Sequence, residues 1–187
     1  FLSGADMLII LGHSEYWTRQ ARNNFDRFIL SGGNAILTGG NAMWWHVRYE
    51  GERMICYRDA KDPIKNPLLE TLQWRAPSLQ YPTIQSLAAD YYFGGLGKKT
   101  LGKNDSGLTS YSLDYYRLAQ TNNPLFQGTG LGQCDALKIG SIGEYDGTPI
   151  AGLNSIGVPI PDTGMIGHYR TEILGYDWLN RSLNHIT

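Results

Sequence analysis

Five consecutive apolar residues, Met7-Leu8-Ile9-Ile10-Leu11, constrain this chain most. The run has no polar alternation, so it reads as a strand covered on both faces. Strands of that kind belong to parallel sheets in α/β proteins. The run stops at Gly12, and His13, Ser14, Glu15 and Tyr16 follow at once. In open parallel sheets the ligand crevice lies beyond the carboxyl ends of the strands. His13 and Glu15 are expected at that edge.

The next segment supports the same reading. Thr18 is a good N-cap for a helix from about Arg19 to Ser31, because its hydroxyl accepts from a free N–H of the first turn. Ala21, Phe25, Phe28 and Ile29 fall on one face, and Arg22, Asn23, Asp26 and Arg27 largely on the other. Gly32-Gly33 ends the helix, and a second apolar run, Ala35 to Thr38, stops at Gly39-Gly40-Asn41. Strand, helix and strand with short links make a right-handed βαβ unit. Its two turns, Gly12–Tyr16 and Gly39–Trp45, share one sheet edge, where Asn41 would face the crevice of His13 and Glu15. Gly39 and Gly40 either let backbone approach a ligand or simply make a tight turn.

The 187 residues suffice for one sizeable core, and a single domain over 1–187 is expected, with a long irregular excursion over 77–135. The formal charge is −1, with no basic face, so nucleic acid is not an expected partner. No apolar stretch has the length of a membrane span. Cys56 and Cys134 are read as buried free thiols, too few and too distant for a disulfide framework or a zinc site. The chain opens at Phe1, with no signal-like segment, and enters a central-type strand at once. It is therefore expected to be part of a longer polypeptide that carries earlier strands, with the cytoplasm the favoured compartment.

Beyond the first unit, Met43 to Arg48 reads as an aromatic extension, Glu50-Gly51-Glu52 as a hairpin turn, and Arg53 to Arg58 as a half-exposed strand. Asp62-Pro63 and Asn66-Pro67 mark a loop, and Leu68 to Leu72 a helical turn. Ser86 to Tyr92 reads as a short helix, Ser110 to Ala119 as helical or extended, and Leu137 to Ile139 as a strand. Tyr145 to Ile150 reads as strand and turn, Ser155 to Gly167 as loop, Arg170 to Leu174 as strand, and Tyr176 to Ile186 as a closing helix.

His13-x-Glu15 is the sharpest chemical signal. Side chains two apart on extended backbone point the same way, so an imidazole and a carboxylate can converge on one atom or ion. Glu15 would then bind a hard cation, and His13 would bond substrate or shuttle a proton. Equally, Glu15 can pair with an arginine and His13 with a carbonyl. No G-x-S-x-G elbow, no G-x-C-x-G nucleophile and no Walker-type Gly-Lys-Ser/Thr occurs. Gly128 to Gly132 reads as a flexible loop. Trp44-Trp45 suits either an apolar pocket or core packing. Glu144, taken alone, reads as a solvated surface acid.

Together, Gly12-His13-Ser14-Glu15-Tyr16-Trp17, Gly32-Gly33-Asn34, Gly40-Asn41-Ala42-Met43-Trp44-Trp45-His46-Val47-Arg48 and Met54-Ile55-Cys56-Tyr57-Arg58 resemble a known family. It is the C-terminal region of the N,N-dimethylformamidase large (beta) subunit and its relatives. The resemblance runs from about residue 5 to Arg75, with Glu144-Tyr145-Asp146-Gly147 the best later landmark. It implies a flavodoxin/class I glutamine-amidotransferase-like α/β fold, a parallel sheet flanked by helices, incomplete in this chain. It also implies hydrolysis of small N-substituted formamides at a mononuclear non-haem iron held by two Tyr and one Glu. Glu15 is then the metal-binding carboxylate, His13 and Asn41 are active-site residues, and Glu144 is a further catalytic acid or base. The tyrosine ligands are expected outside this chain, and Trp44 stands where relatives often have Tyr. Expected partners are a small-molecule substrate, the rest of the larger polypeptide, and a small subunit or further copies of the chain. The expected function is a metal-dependent hydrolase of a small C–N amide bond; the alternatives are a non-catalytic scaffold or binding domain of the same fold, and an enzyme acting on another substrate class.

Overall fold

The computed structural model describes residues 2, 4–58, 60–96, 115–119, 121–133, 135–138, 144–166 and 171–176. In chain order the elements are β1 (Met7–Ile10), β2 (Tyr16–Thr18), α1 (Arg19–Leu30), β3 (Asn34–Leu37), β4 (Trp45–Glu50), β5 (Arg53–Ile55), α2 (Ile84–Leu87), β6 (Asp90–Leu96), β7 (Tyr115–Leu118), β8 (Ala136–Lys138), β9 (Glu144–Gly147), β10 (Ile150–Leu153), β11 (Pro159–Pro161), α3 (Thr163–Ile166) and β12 (Gly175–Tyr176).

The first unit forms as its sequence dictates. β1 and β3 pair in parallel, Met7 opposite Asn34 and Ile10 opposite Leu37. The Thr18 hydroxyl accepts from the Ala21 N–H at 3.1 Å and starts α1. The helix ends in a Schellman motif: Gly32 N–H donates to Ile29 and Gly33 N–H to Phe28, both at 3.0 Å. Gly32 takes the left-handed conformation this closure needs, with φ +96°. β2 lies parallel to β4, and β4 turns through Gly51-Glu52 into antiparallel β5.

The expected parallel sheet flanked by helices is not what the chain builds. Among the described residues the strands fall into separate sheets of two or three: β1-β3, β2-β4-β5, β6-β9, β12-β7-β8 and β10-β11. Only β1-β3 and β2-β4 are parallel; every other pair is antiparallel. The reason is in the sequence beyond Ile55. Parallel neighbours need a crossover of a dozen or more residues, usually a helix. After α1 the described α-helices are four-residue turns, so later strands pair antiparallel.

β1 is not covered on both faces either. Leu8 and Ile10 pack on the core, while Met7 and Ile9 are about half exposed, as is Ile36 opposite them. Ser86 to Tyr92 is not one helix; it divides between α2 and β6. Within the segment expected to be loop from Ser155 to Gly167 lie β11 and α3; of the strand expected at Arg170 to Leu174, residues 171–174 are irregular, while Gly167 and Arg170 lie outside the described residues, and β12 follows at Gly175–Tyr176. Leu68 to Leu72 includes a single turn, with Leu69 and Glu70 N–H both donating to Asn66. Residues 97–114, Cys134, Ile139 and the expected closing helix after Tyr176 lie outside the described residues.

The core gathers Phe25, Met43, Trp74 and Leu79, with Leu8, Ile10, Trp17, Ala35 and Leu37 against it. Arg22 is on the buried side of α1, contrary to its polar character. Its guanidinium lies 4.6 Å from the Trp74 ring centre and 3.8 Å from that of Tyr81. It donates to Ser86 Oγ and to the carbonyls of Tyr81 and Pro82 at 2.6 to 2.9 Å. With every donor group engaged and two rings beneath it, the cation is tolerated inside.

Candidate active site

The site is made where β1 and β3 end. Gly12 N–H donates to Thr38 Oγ1 at 3.1 Å, which ties the two strand ends together. Two backbone bonds then lay the second turn beside the first: Met43 N–H to Ser14 at 2.8 Å and Trp45 N–H to Glu15 at 2.9 Å. The two turns therefore share an edge, as the βαβ reading expects. Gly39 and Gly40 serve close chain packing. A Cβ on Gly39 would overlap the Gly12 carbonyl, and one on Gly40 the Glu144 carbonyl. Asn41 follows with φ +60° and Met43 with φ +52°. Asn tolerates that region; Met is held there by its complete burial.

Five side chains meet at this edge. His13 Nε2 is 3.2 Å from Glu15 Oε2, and its Nδ1 is 2.8 Å from Glu144 Oε2. Asn41 Nδ2 donates to Glu15 Oε1 at 3.1 Å and to Glu144 Oε1 at 3.2 Å. The Trp45 indole N–H adds a third donor to Glu15, at 3.0 Å on Oε1. Glu15 thus takes no hydrogen bond from Arg19, Arg22 or Arg48, which are engaged elsewhere. The His13 side chain is 53% exposed, against 15% for Glu15 and 23% for Glu144, so the imidazole is the most accessible member.

Strand β9 completes the arrangement. Glu144 and Asp146 are two apart and share a face of the strand. Asp146 accepts the Asn41 N–H at 2.7 Å and the Ala42 N–H at 3.2 Å. Burial pushes the Asp146 carboxyl up to about 6; the two N–H groups oppose this, and the nearby charges of Asp90 and Glu144 add to it. Burial also raises the Tyr16 phenol, helped by the charge and hydrogen bond of Glu15 and opposed by Arg58, whose guanidinium donates to the Tyr16 hydroxyl. The Tyr16 phenol thus stays protonated at neutral pH.

A family model described as N,N-dimethylformamidase beta subunit-like, C-terminal, matches residues 2–173. The chain belongs to this family. No curated protein and no solved structure matches it. The family is the one the motifs around Gly12–Trp17 and Gly40–Arg48 resemble, and its model extends well past Arg75.

Within this dimethylformamidase-like chain, the expected residues His13, Glu15, Asn41 and Glu144 lie in one hydrogen-bonded cluster. Glu144 is not the solvated acid that its local sequence suggests, since the fold brings it to His13 from more than a hundred positions away in sequence. Sequence reasoning missed Trp45 and Asp146. Trp45 is one of the paired tryptophans, but only the parallel register of β2 and β4 shows its indole N–H reaching Glu15. Asp146 carried a signal in its spacing from Glu144, which places both on one face of any strand.

The donor set does not complete an iron site within the described residues. Among the described residues no group of three or more His, Cys, Asp and Glu is disposed to hold a metal ion. Both ring nitrogens of His13 face carboxylates, and both oxygens of Glu15 accept hydrogen bonds. Glu15 can offer one ligand; a full set does not converge within these residues.

Proposed function

We propose that this chain supplies the proton-handling residues of a hydrolase acting on a small C–N amide bond of the N-substituted formamide type. One observation carries the reading: an accessible imidazole lies between two carboxylates that are oriented by the same asparagine amide. Family membership adds the substrate class, since the matching model is described by dimethylformamidase.

The chemistry follows from the bonds. Hydrolysis needs a proton removed from water as its oxygen attacks the formyl carbon. A proton must then reach the nitrogen as the C–N bond breaks, giving formate and an amine. His13 is placed to carry that proton, because either ring nitrogen can exchange with a carboxylate while the ring itself faces solvent. Glu144 is nearer and forms the tighter pair with it; Glu15 steadies the other nitrogen. Asn41 keeps the two acids at fixed separation by donating to one oxygen of each.

The iron implied by the resemblance would take Glu15 as one ligand, with the others from outside this chain. Partners of the same kind, the rest of a beta-type subunit and a further subunit, belong to the proposal on the same ground. So does the single domain over 1–187.

A non-catalytic scaffold is the second reading. It is favoured by the self-satisfied bonding of Glu15, whose two oxygens already take three hydrogen bonds. Formate release from N-methylformamide and N,N-dimethylformamide by the intact protein separates the two. The hydrolase reading requires turnover that falls on the order of 100-fold or more in His13→Gln. Absence of turnover in wild type, with the fold intact, leaves the scaffold.

A further inference from the structure

The side chain of Asn41 has no anchor of its own beyond the two acids it orients. Its Oδ1 is buried and accepts no hydrogen bond from the described residues, while Nδ2 is spent on Glu15 and Glu144. Its backbone is left-handed, a conformation that costs free energy for any residue with a Cβ. Something must hold the turn, and the structure shows what does. Two successive N–H groups, of Asn41 and Ala42, point into the single carboxylate of Asp146.

We infer that Asp146 is a positioning residue, which fixes the left-handed Asn41 turn and through it sets the spacing of Glu15 and Glu144 around His13. The support is rigid on both sides. β9 pairs with β6, and a Cβ on Gly94 or Gly147 would overlap the opposing backbone there. On its other side, Gly40 lies against the Glu144 carbonyl. One short strand therefore carries Glu144 into the site and Asp146 under it, so the two acids cannot shift independently. A carboxylate suits the task because both of its oxygens accept. An Asn at 146 offers one acceptor and one donor, and the donor would face an N–H.

The inference rests on the hydrolase reading for its kinetic test, and has a second test that does not. In the intact protein, Asp146→Asn is expected to lower kcat about tenfold or more with KM within about twofold, since the reacting geometry is disturbed and the binding surface is not. In an Asn41→Ala background the same change is expected to add less than about twofold, because the two residues act as a unit. Equal losses in both backgrounds, or wild-type kcat in Asp146→Asn, would overturn the inference. The independent readout is the side-chain NH2 pair of Asn41 in protein labelled with 15N at asparagine, assigned by its loss in Asn41→Ala. It should shift in Asp146→Ser while the amides of α1 do not. An unmoved Asn41 pair overturns the inference even if wild type hydrolyses no amide, an outcome that would remove the hydrolase reading alone.

Discussion

Two basic side chains meet opposite surroundings in this fold. Arg22 is fully buried, lies on two aromatic rings, and gives its hydrogen bonds to a hydroxyl and two carbonyls. His13 is half exposed and lies between two acids that outnumber it. Around Arg22 the charge is fixed and its partners are mostly backbone, which cannot titrate. Around His13 every partner can take or give a proton, or orients one that can. The first arrangement maintains structure; the second permits chemistry. Removing Arg22 should therefore destabilise the protein strongly, and removing His13 should silence it with little loss of stability.

The largest effect expected is on turnover. Glu144→Gln keeps the size of the side chain but removes the carboxylate facing His13 Nδ1. Amide hydrolysis should fall on the order of 100- to 1000-fold with a melting temperature close to wild type, measured by initial rates and thermal denaturation. Arg22→Ala tests the other region. It leaves two carbonyls and Ser86 without their donor and a void over Trp74, so urea denaturation should show a loss of about 3 kcal/mol. A stable Arg22→Ala protein would erase the contrast.

Acid titration sharpens the same contrast because the two regions carry opposite signs. Burial pushes His46 down to about 4 from its usual 6.5; the Glu70 carbonyl opposes this and nearby arginines reinforce it. Unfolded chains therefore bind that proton first, and stability should fall as pH drops from 6.5 toward 4. Asp62 adds to this at lower pH. Its burial is outweighed by hydrogen bonds from Thr71, Ile64 and Arg48, so its carboxyl is held below the usual range. Asp146 runs the other way: its folded value is raised, so its contribution is present below 3.8 and is lost as pH rises through about 6. In melting temperature measured against pH, His46→Gln should flatten the slope between 6.5 and 4. Asp146→Asn should remove the opposing component over 3.8 to 6.

The smallest effect expected is at the helix start. Thr18→Ala removes the hydroxyl that accepts from Ala21 and should cost about 1 kcal/mol, with Thr18→Ser restoring most of it. Activity should not change, because α1 serves the core.

These regions also differ in how legible they are in the sequence. The βαβ start could be read directly: its strand runs, Thr18 cap and Gly32-Gly33 stop are local signals, and each is formed by neighbours in sequence. His13, Glu15 and Asn41 followed from it, because a parallel pair puts both turns at one edge. The larger sheet was not legible. An apolar run such as Met7 to Leu11 reports a strand with apolar neighbours, and it cannot report how many strands follow. Arg22 was misplaced for a related reason. Helical periodicity assigns charge to water, and only the folded positions of Trp74 and Tyr81, more than fifty residues on, make burial tolerable. Glu144 looked like a surface acid because its partners are more than a hundred residues away.

The most direct test is formate release from N,N-dimethylformamide by the intact protein and by Glu15→Gln, with iron content measured on both. Turnover in wild type, lost in the variant at an unchanged melting temperature, is the expected result. Loss of bound iron alongside it would assign Glu15 as a ligand. Full activity in Glu15→Gln, or none in a folded wild-type protein, would contradict the reading of this cluster as a hydrolase site.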